Sequence, residues 1–160
     1  GHVQKNKAAK ALAYSQCIET VDSSKLARRL DRLQGERIAD GEANGPYDIM
    51  IQVNSSGAES QYGRAPESVV DFAGKIIGME SLRLIGLMTI GAHTTDAAAI
   101  GKSFQIVREL RDEIQAAGIA SATELSMGMT HDMDIAIAEG STIIRVGTAV
   151  FGPRPQVASL

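Results

Sequence analysis

The sequence predicts an α/β domain built on a parallel sheet. Three observations carry this. Strand-like and helix-like segments alternate along the 160 residues. The strand-like segments are apolar without a polar alternate face, as in strands covered on both sides. The helix-like segments between them end at glycines, the usual stop signal of short helices in such alternating chains.

Taken in order, Asn6 is available to cap an Ala-rich helix through Ala8, Ala11 and Leu12. Cys17-Ile18-Glu19-Thr20-Val21 reads as a short strand, with its lone cysteine expected as a buried reduced thiol. Asp22 or Ser23 caps the next helix, in which Leu26, Leu30 and Leu33 share a face before Gly35 stops it. A glycine-containing connection leads to the strand Asp48 to Asn54, and a loop around Gly57 and Gly63 follows. Pro66 opens a helix carrying Val69, Phe72, Ala73 and Ile76, which Gly78 ends. Leu82 to Met88 is a strand. Thr95 or Asp96 then starts a long helix with Ile100, Phe104, Val107, Leu110 and Ile114 on one stripe, closing at Gly118. Glu124 to Met127 is a short strand, Thr130 caps a helix ending at Gly140, and Thr142 to Val146 is the fifth and last strand. A doubly wound sheet and part of a (β/α)8 barrel both satisfy this order, and a closed barrel takes about 250 residues. The chain is too short to close one.

Composition narrows the function. Lys and Arg total 16 against 19 Asp and Glu, for a formal charge of −3, and no basic block offers a footprint for nucleic acid or an anionic membrane. No apolar run approaches the roughly 20 residues of a membrane-spanning helix. The single cysteine, Cys17, cannot form an internal disulfide, which fits a cytoplasmic setting. The opening Gly1-His2-Val3, without an initiator Met or a signal-peptide core, reads as the interior of a longer chain.

Two loops stand out as an anion site: Ser126-Met127-Gly128-Met129-Thr130 and Arg145-Val146-Gly147-Thr148-Ala149. Both follow the last two strands, where parallel α/β folds bind ligands. Gly128 and Gly147 leave room for backbone N–H groups to converge on a phosphate, and Ser126, Thr130 and Thr148 add hydroxyls. The same glycines also serve as plain turn residues. Arg145 sharpens the signal, because an arginine in a doubly covered sheet must reach the strand end or meet an acceptor; a salt bridge to a neighbouring carboxylate is the alternative. His2, His93 and His131 have no metal-ligand spacing, so no metal is expected. No serine sits in a G-x-S-x-G elbow.

Gly1-His2-Val3-Gln4-Lys5-Asn6-Lys7, Ile51-Gln52-Val53-Asn54, Gly86-Leu87-Met88-Thr89-Ile90, Leu125-Ser126-Met127-Gly128-Met129 and Arg145-Val146-Gly147-Thr148-Ala149-Val150-Phe151-Gly152 together resemble the pyridoxal phosphate homeostasis protein family. Its members are similar to the amino-terminal barrel of alanine racemase. The resemblance implies a TIM-type (β/α)8 barrel of fold-type III. Residues 1–160 would be one α/β domain, its carboxyl-terminal portion, with strands four to eight present and the barrel incomplete.

It further implies pyridoxal 5′-phosphate (PLP) as cofactor. Ser126 would bind the phosphate through its hydroxyl, Gly147 and Thr148 through backbone N–H, Arg145 would face the pyridine nitrogen, and His2 and Met88 would line the ring pocket. The family's Schiff-base lysine would lie upstream of this chain, so Lys5, Lys7, Lys10 and Lys25 are not assigned that role, and Gln61 stands in a loop where the family often has lysine. An arginine cannot take a proton, so it keeps the pyridine nitrogen neutral and weakens the ring as an electron sink. The implied function is therefore a cytoplasmic carrier or regulator of vitamin B6 pools without established turnover, with PLP-dependent apo-enzymes as receiving partners. A PLP-dependent amino-acid racemase is the alternative.

Overall fold

The computed structural model describes residues 1–153; the remainder of the expected 1–160 domain lies outside the described residues. Four strands, β1 (Cys17–Val21), β2 (Tyr47–Gln52), β3 (Leu82–Met88) and β4 (Glu124–Ser126), form one parallel sheet in chain order. Helices α1 (Ala8–Tyr14), α2 (Ser24–Ala39), α3 (Val69–Ile77), α4 (Ala97–Ala116), α5 (Met133–Ala138) and α6 (Thr148–Phe151) alternate with them. The alternation and the parallel sheet are as expected.

The long helix follows its sequence signal. The Asp96 carboxylate accepts from Ala98 N at 2.9 Å and starts α4, whose Phe104, Val107 and Ile114 are fully enclosed. Ser23 caps α2 by accepting from Leu26 N. Leu26 and Leu30 of α2, Phe72 and Ile76 of α3, and Ile49, Ile51, Leu84 and Leu87 of the sheet join them in one core. Asp31 also fixes α2 to the sheet by accepting from Ser81 N at 2.9 Å, just before β3.

Four expectations are corrected. Asn6 caps nothing: residues 5–7 form a 3-10 turn that runs into α1. Gly35 does not stop α2, which continues to Ala39; a Cβ there would lie 3.1 Å from Ser81 Oγ, so the glycine allows close approach to the segment before β3. Thr130 does not cap α5, which begins at Met133 after a turn in which Asp132 accepts from Met129 N at 2.6 Å. The fifth strand is reduced to one parallel bridge, Ser126 to Ile143, because Ser141 and Thr142 side chains take up β4 backbone groups that a ladder would use.

Glu19 on β1 reaches Ser126 on β4, although two strands lie between them. In a flat sheet those strands would stand about 14 Å apart, three spacings of about 4.8 Å, beyond the span of two such side chains. The sheet is therefore curled, with the carboxyl ends of its strands rimming a concave face.

Candidate functional site at the carboxyl ends of the strands

On that concave face lies a cavity of about 670 Å³, with Cys17, Glu19, Thr20, Met88, Met129 and Arg145 among its walls. The volume falls within the range of small-molecule sites. Met88 ends β3 and pairs in register with Ser126 at the end of β4. Arg145 enters from the segment after α5, its N–H donating to Gly128 O at 2.9 Å. Gly128 has φ +94°, and a Cβ there would stand 2.6 Å from Ala136 Cβ, so only glycine makes this turn.

The polar floor is a directed chain. Arg145 Nη2 donates to Thr89 O at 2.7 Å and Nη1 donates to Ser126 Oγ at 2.8 Å, while Ser126 Oγ–H donates to Glu19 Oε2 at 2.7 Å. Burial pulls the Arg145 guanidinium below its ordinary pKa, and the carboxylates of Glu19 and Asp132 oppose that shift. Ser126 is fully buried and its single proton faces Glu19. The hydroxyl standing against the Gly147 turn is instead that of Thr130, which accepts from Ala149 N at 3.3 Å. Gly147 and Thr148 are exposed at the start of α6, and neither N–H donates to any group among the described residues. A Cβ at Gly147 would meet only open space.

The structure thus brings Met88, Ser126 and Arg145 together and sets Gly147 and Thr148 beside them. His2 does not line this cavity: it stacks on Tyr62 at 4.3 Å between ring centroids, and its Nδ1 is 3.3 Å from Asp22 Oδ2. Cys17 is half-buried against the cavity rather than enclosed, and burial pushes its thiol up to about 12. Glu19 and Thr89 escaped the sequence reading. For Glu19 a signal existed, a lone carboxylate in a strand otherwise fit for burial; for Thr89, whose backbone oxygen is the acceptor, none did.

No lysine lines the cavity, and the described residues hold no cluster of three or more metal-ligating side chains. None of the described helices is long and apolar enough to cross a membrane. His93 and His131, both exposed, border a separate apolar cavity of about 610 Å³ floored by Ile100 and Ile135.

A curled parallel sheet with a ligand-sized cavity, and with backbone donors at Gly147 and Thr148 that have no partner among the described residues, defines an α/β domain of barrel-like curvature. The family model described as alanine racemase, N-terminal domain, matches residues 1–155. The chain belongs to that family. It is 34% identical over 154 residues to the pyridoxal phosphate homeostasis protein of Aquifex aeolicus, covering 96% of this chain and 65% of the relative. To that of Mus musculus it is 37% identical over 160 residues, covering 96% and 57%. The chain therefore spans less than two thirds of these relatives. Among solved structures, PipY of Synechococcus elongatus with PLP bound is 35% identical with a TM-score of 0.83, covering 95% of this chain and 68% of that one. A Bifidobacterium adolescentis protein is 44% identical at TM-score 0.86, covering 94% and 58%. Alanine racemase of Clostridium difficile, at 15% identity and TM-score 0.76 over 98% of this chain and 39% of that one, shares the fold.

Proposed function

We propose that this chain supplies the PLP-binding face of a PLP homeostasis protein, a carrier or regulator of the cofactor without turnover of its own. The observation that carries the reading is Arg145, held on the cavity floor by Thr89 O and Ser126 with three further N–H groups left to offer. Support comes from the relatives' names and from the PLP held by PipY. The N–H groups of Gly147 and Thr148, without a partner among the described residues, suit a phosphate.

When bound, PLP supplies an aldehyde and a ring able to stabilise negative charge at a substrate carbon. Gly147 and Thr148 N–H, with the Thr148 and Thr130 hydroxyls, would hold the phosphate. Ser126 acts from below, through Arg145, because its proton is committed to Glu19. Arg145 would donate towards the ring nitrogen and, being unable to accept a proton, would leave that nitrogen neutral. Met88, on the cavity wall, would pack on the ring, and His2, stacked on Tyr62, stands outside that wall.

In this reading the four strands and the bridged segment 142–146 are strands four to eight of a (β/α)8 barrel, and the chain is one domain of a cytoplasmic protein whose partners include PLP-dependent apo-enzymes. Equilibrium dialysis of the chain against PLP tests it. Saturable uptake, weakened at least tenfold in Arg145→Ala by loss of hydrogen bonds to a charged group, is expected; no uptake above that of a non-binding control protein refutes it. The racemase alternative predicts exchange of the α-hydrogen of L-alanine by the loaded protein well above free PLP.

A further inference from the structure

We propose that Glu19 is a positioning residue for Arg145, fixing through the Ser126 hydroxyl the direction in which the guanidinium faces the cavity. The role in ligand binding rests on the PLP reading above; the positioning itself does not. A carboxylate only accepts hydrogen bonds, so Glu19 Oε2 at 2.7 Å dictates that the Ser126 proton points to it. The Ser126 lone pair is thereby turned to Arg145 Nη1 at 2.8 Å. With Nη2 held by Thr89 O at 2.7 Å, two corners of a planar group are fixed, and with them the plane in which its remaining N–H groups lie. Glu19 and Arg145 both wall the cavity.

Charge adds a second consequence. One carboxylate and one guanidinium leave the floor near neutral, so a doubly charged phosphate gains little there and is left to the backbone donors at Gly147 and Thr148. The floor then receives the uncharged end of the ligand. Glu19 in this way sets the sense in which a molecule with a phosphate at one end and a ring nitrogen at the other can enter.

The test compares Glu19→Ala, Glu19→Gln and Ser126→Ala, following the Arg145 Nη–H resonance by low-temperature NMR of isotope-labelled arginine in the unliganded chain, assigned with Arg145→Lys. A glutamine still offers an oxygen to the Ser126 proton, so Glu19→Gln should keep the shifted, exchange-protected resonance, whereas Glu19→Ala and Ser126→Ala should return it to the position of exposed arginines. Dialysis against PLP should show about tenfold weaker binding in Glu19→Ala, the size of one hydrogen bond to a charged group, with most of it restored in Glu19→Gln. Should Glu19→Ala fail to fold, Glu19→Leu fills the same space without an acceptor and gives the same reading. An unchanged Arg145 resonance in the folded Glu19→Ala or Glu19→Leu variant overturns the proposal. If the resonance behaves as stated but the wild-type chain takes up no PLP, the cavity's ligand has been misassigned and the positioning of Arg145 by Glu19 stands.

Discussion

The Arg145 guanidinium and the backbone oxygen of Thr89 meet at 2.7 Å, which joins the segment after α5 to the loop after β3 across the top of the sheet. Thr89 can serve as this anchor because it is itself held. Its hydroxyl lies 2.9 Å from Ser55 Oγ and accepts from Gly91 N at 3.1 Å, in a fully buried position.

Replacing Thr89 by valine keeps the shape and the backbone oxygen but strips the partner from Ser55 and Gly91 N. Two buried polar groups left unpaired, at about 1–3 kcal/mol each, should lower stability by about 2–6 kcal/mol, while Thr89→Ser should lose much less. Urea unfolding monitored by circular dichroism reads the difference, and equal midpoints for valine and wild type would contradict it.

Gly86 faces Glu124 in the β3–β4 register, and a Cβ there would come within 2.6 Å of the Glu124 carbonyl carbon. The neighbour is backbone and cannot turn aside. Gly86→Ala should cost about 3 kcal/mol, the upper end of ordinary overpacking, and should speed exchange of the amide hydrogens that pair β4 with β3. Hydrogen exchange confined to other strands would show that the clash is relieved elsewhere.

At Gly128 a side chain meets both an unfavourable φ of +94° and Ala136 Cβ at 2.6 Å. Gly128→Ala should therefore shift the turn whose carbonyl holds Arg145 N, weakening PLP uptake together with thermal stability by about 1–3 kcal/mol. Calorimetry and dialysis on the same sample check that both fall.

Alkaline pH should loosen the fold. The native Cys17 thiol keeps its proton up to about 12, whereas the unfolded thiol loses it near 9. Its contribution is complete below pH 9 and is lost as pH rises through the native value, because the unfolded state then binds fewer protons. Tyr47, also raised by burial, pushes in the same direction. Urea midpoints from about pH 8 to about pH 11 should fall, and less steeply in Cys17→Ser. Identical slopes would remove Cys17 from the account.

What the sequence made legible was whatever repeats locally. The stripe of Ile100, Phe104, Val107 and Ile114 is a property of neighbouring turns, and all four are buried where the pattern puts them. The two glycine-containing loops stood out for the same reason, and the structure sets one against the other through Thr130 and Ala149. Gly35 misled because a glycine inside a helix costs only about 1 kcal/mol, and here it serves a close approach to Ser81, 46 positions along the chain. The last strand misled because residues 142–146 have the composition of a strand, yet only Ile143 bridges to β4. Ser126 is the instructive case. Its position at a strand end was readable, but the direction of its proton depends on Glu19, 107 residues away, and no local pattern encodes that.

Each strand of this sheet lies beside the one synthesised immediately before it. Growth can therefore be vectorial: every new βα unit finds its docking edge already made, and no connection needs to thread past another. The bond from Glu19 to Ser126 is the exception, since it joins the first of the described strands to the fourth. It can latch only after β4 has arrived, which makes this single clasp a marker that these four strands have closed into their arc.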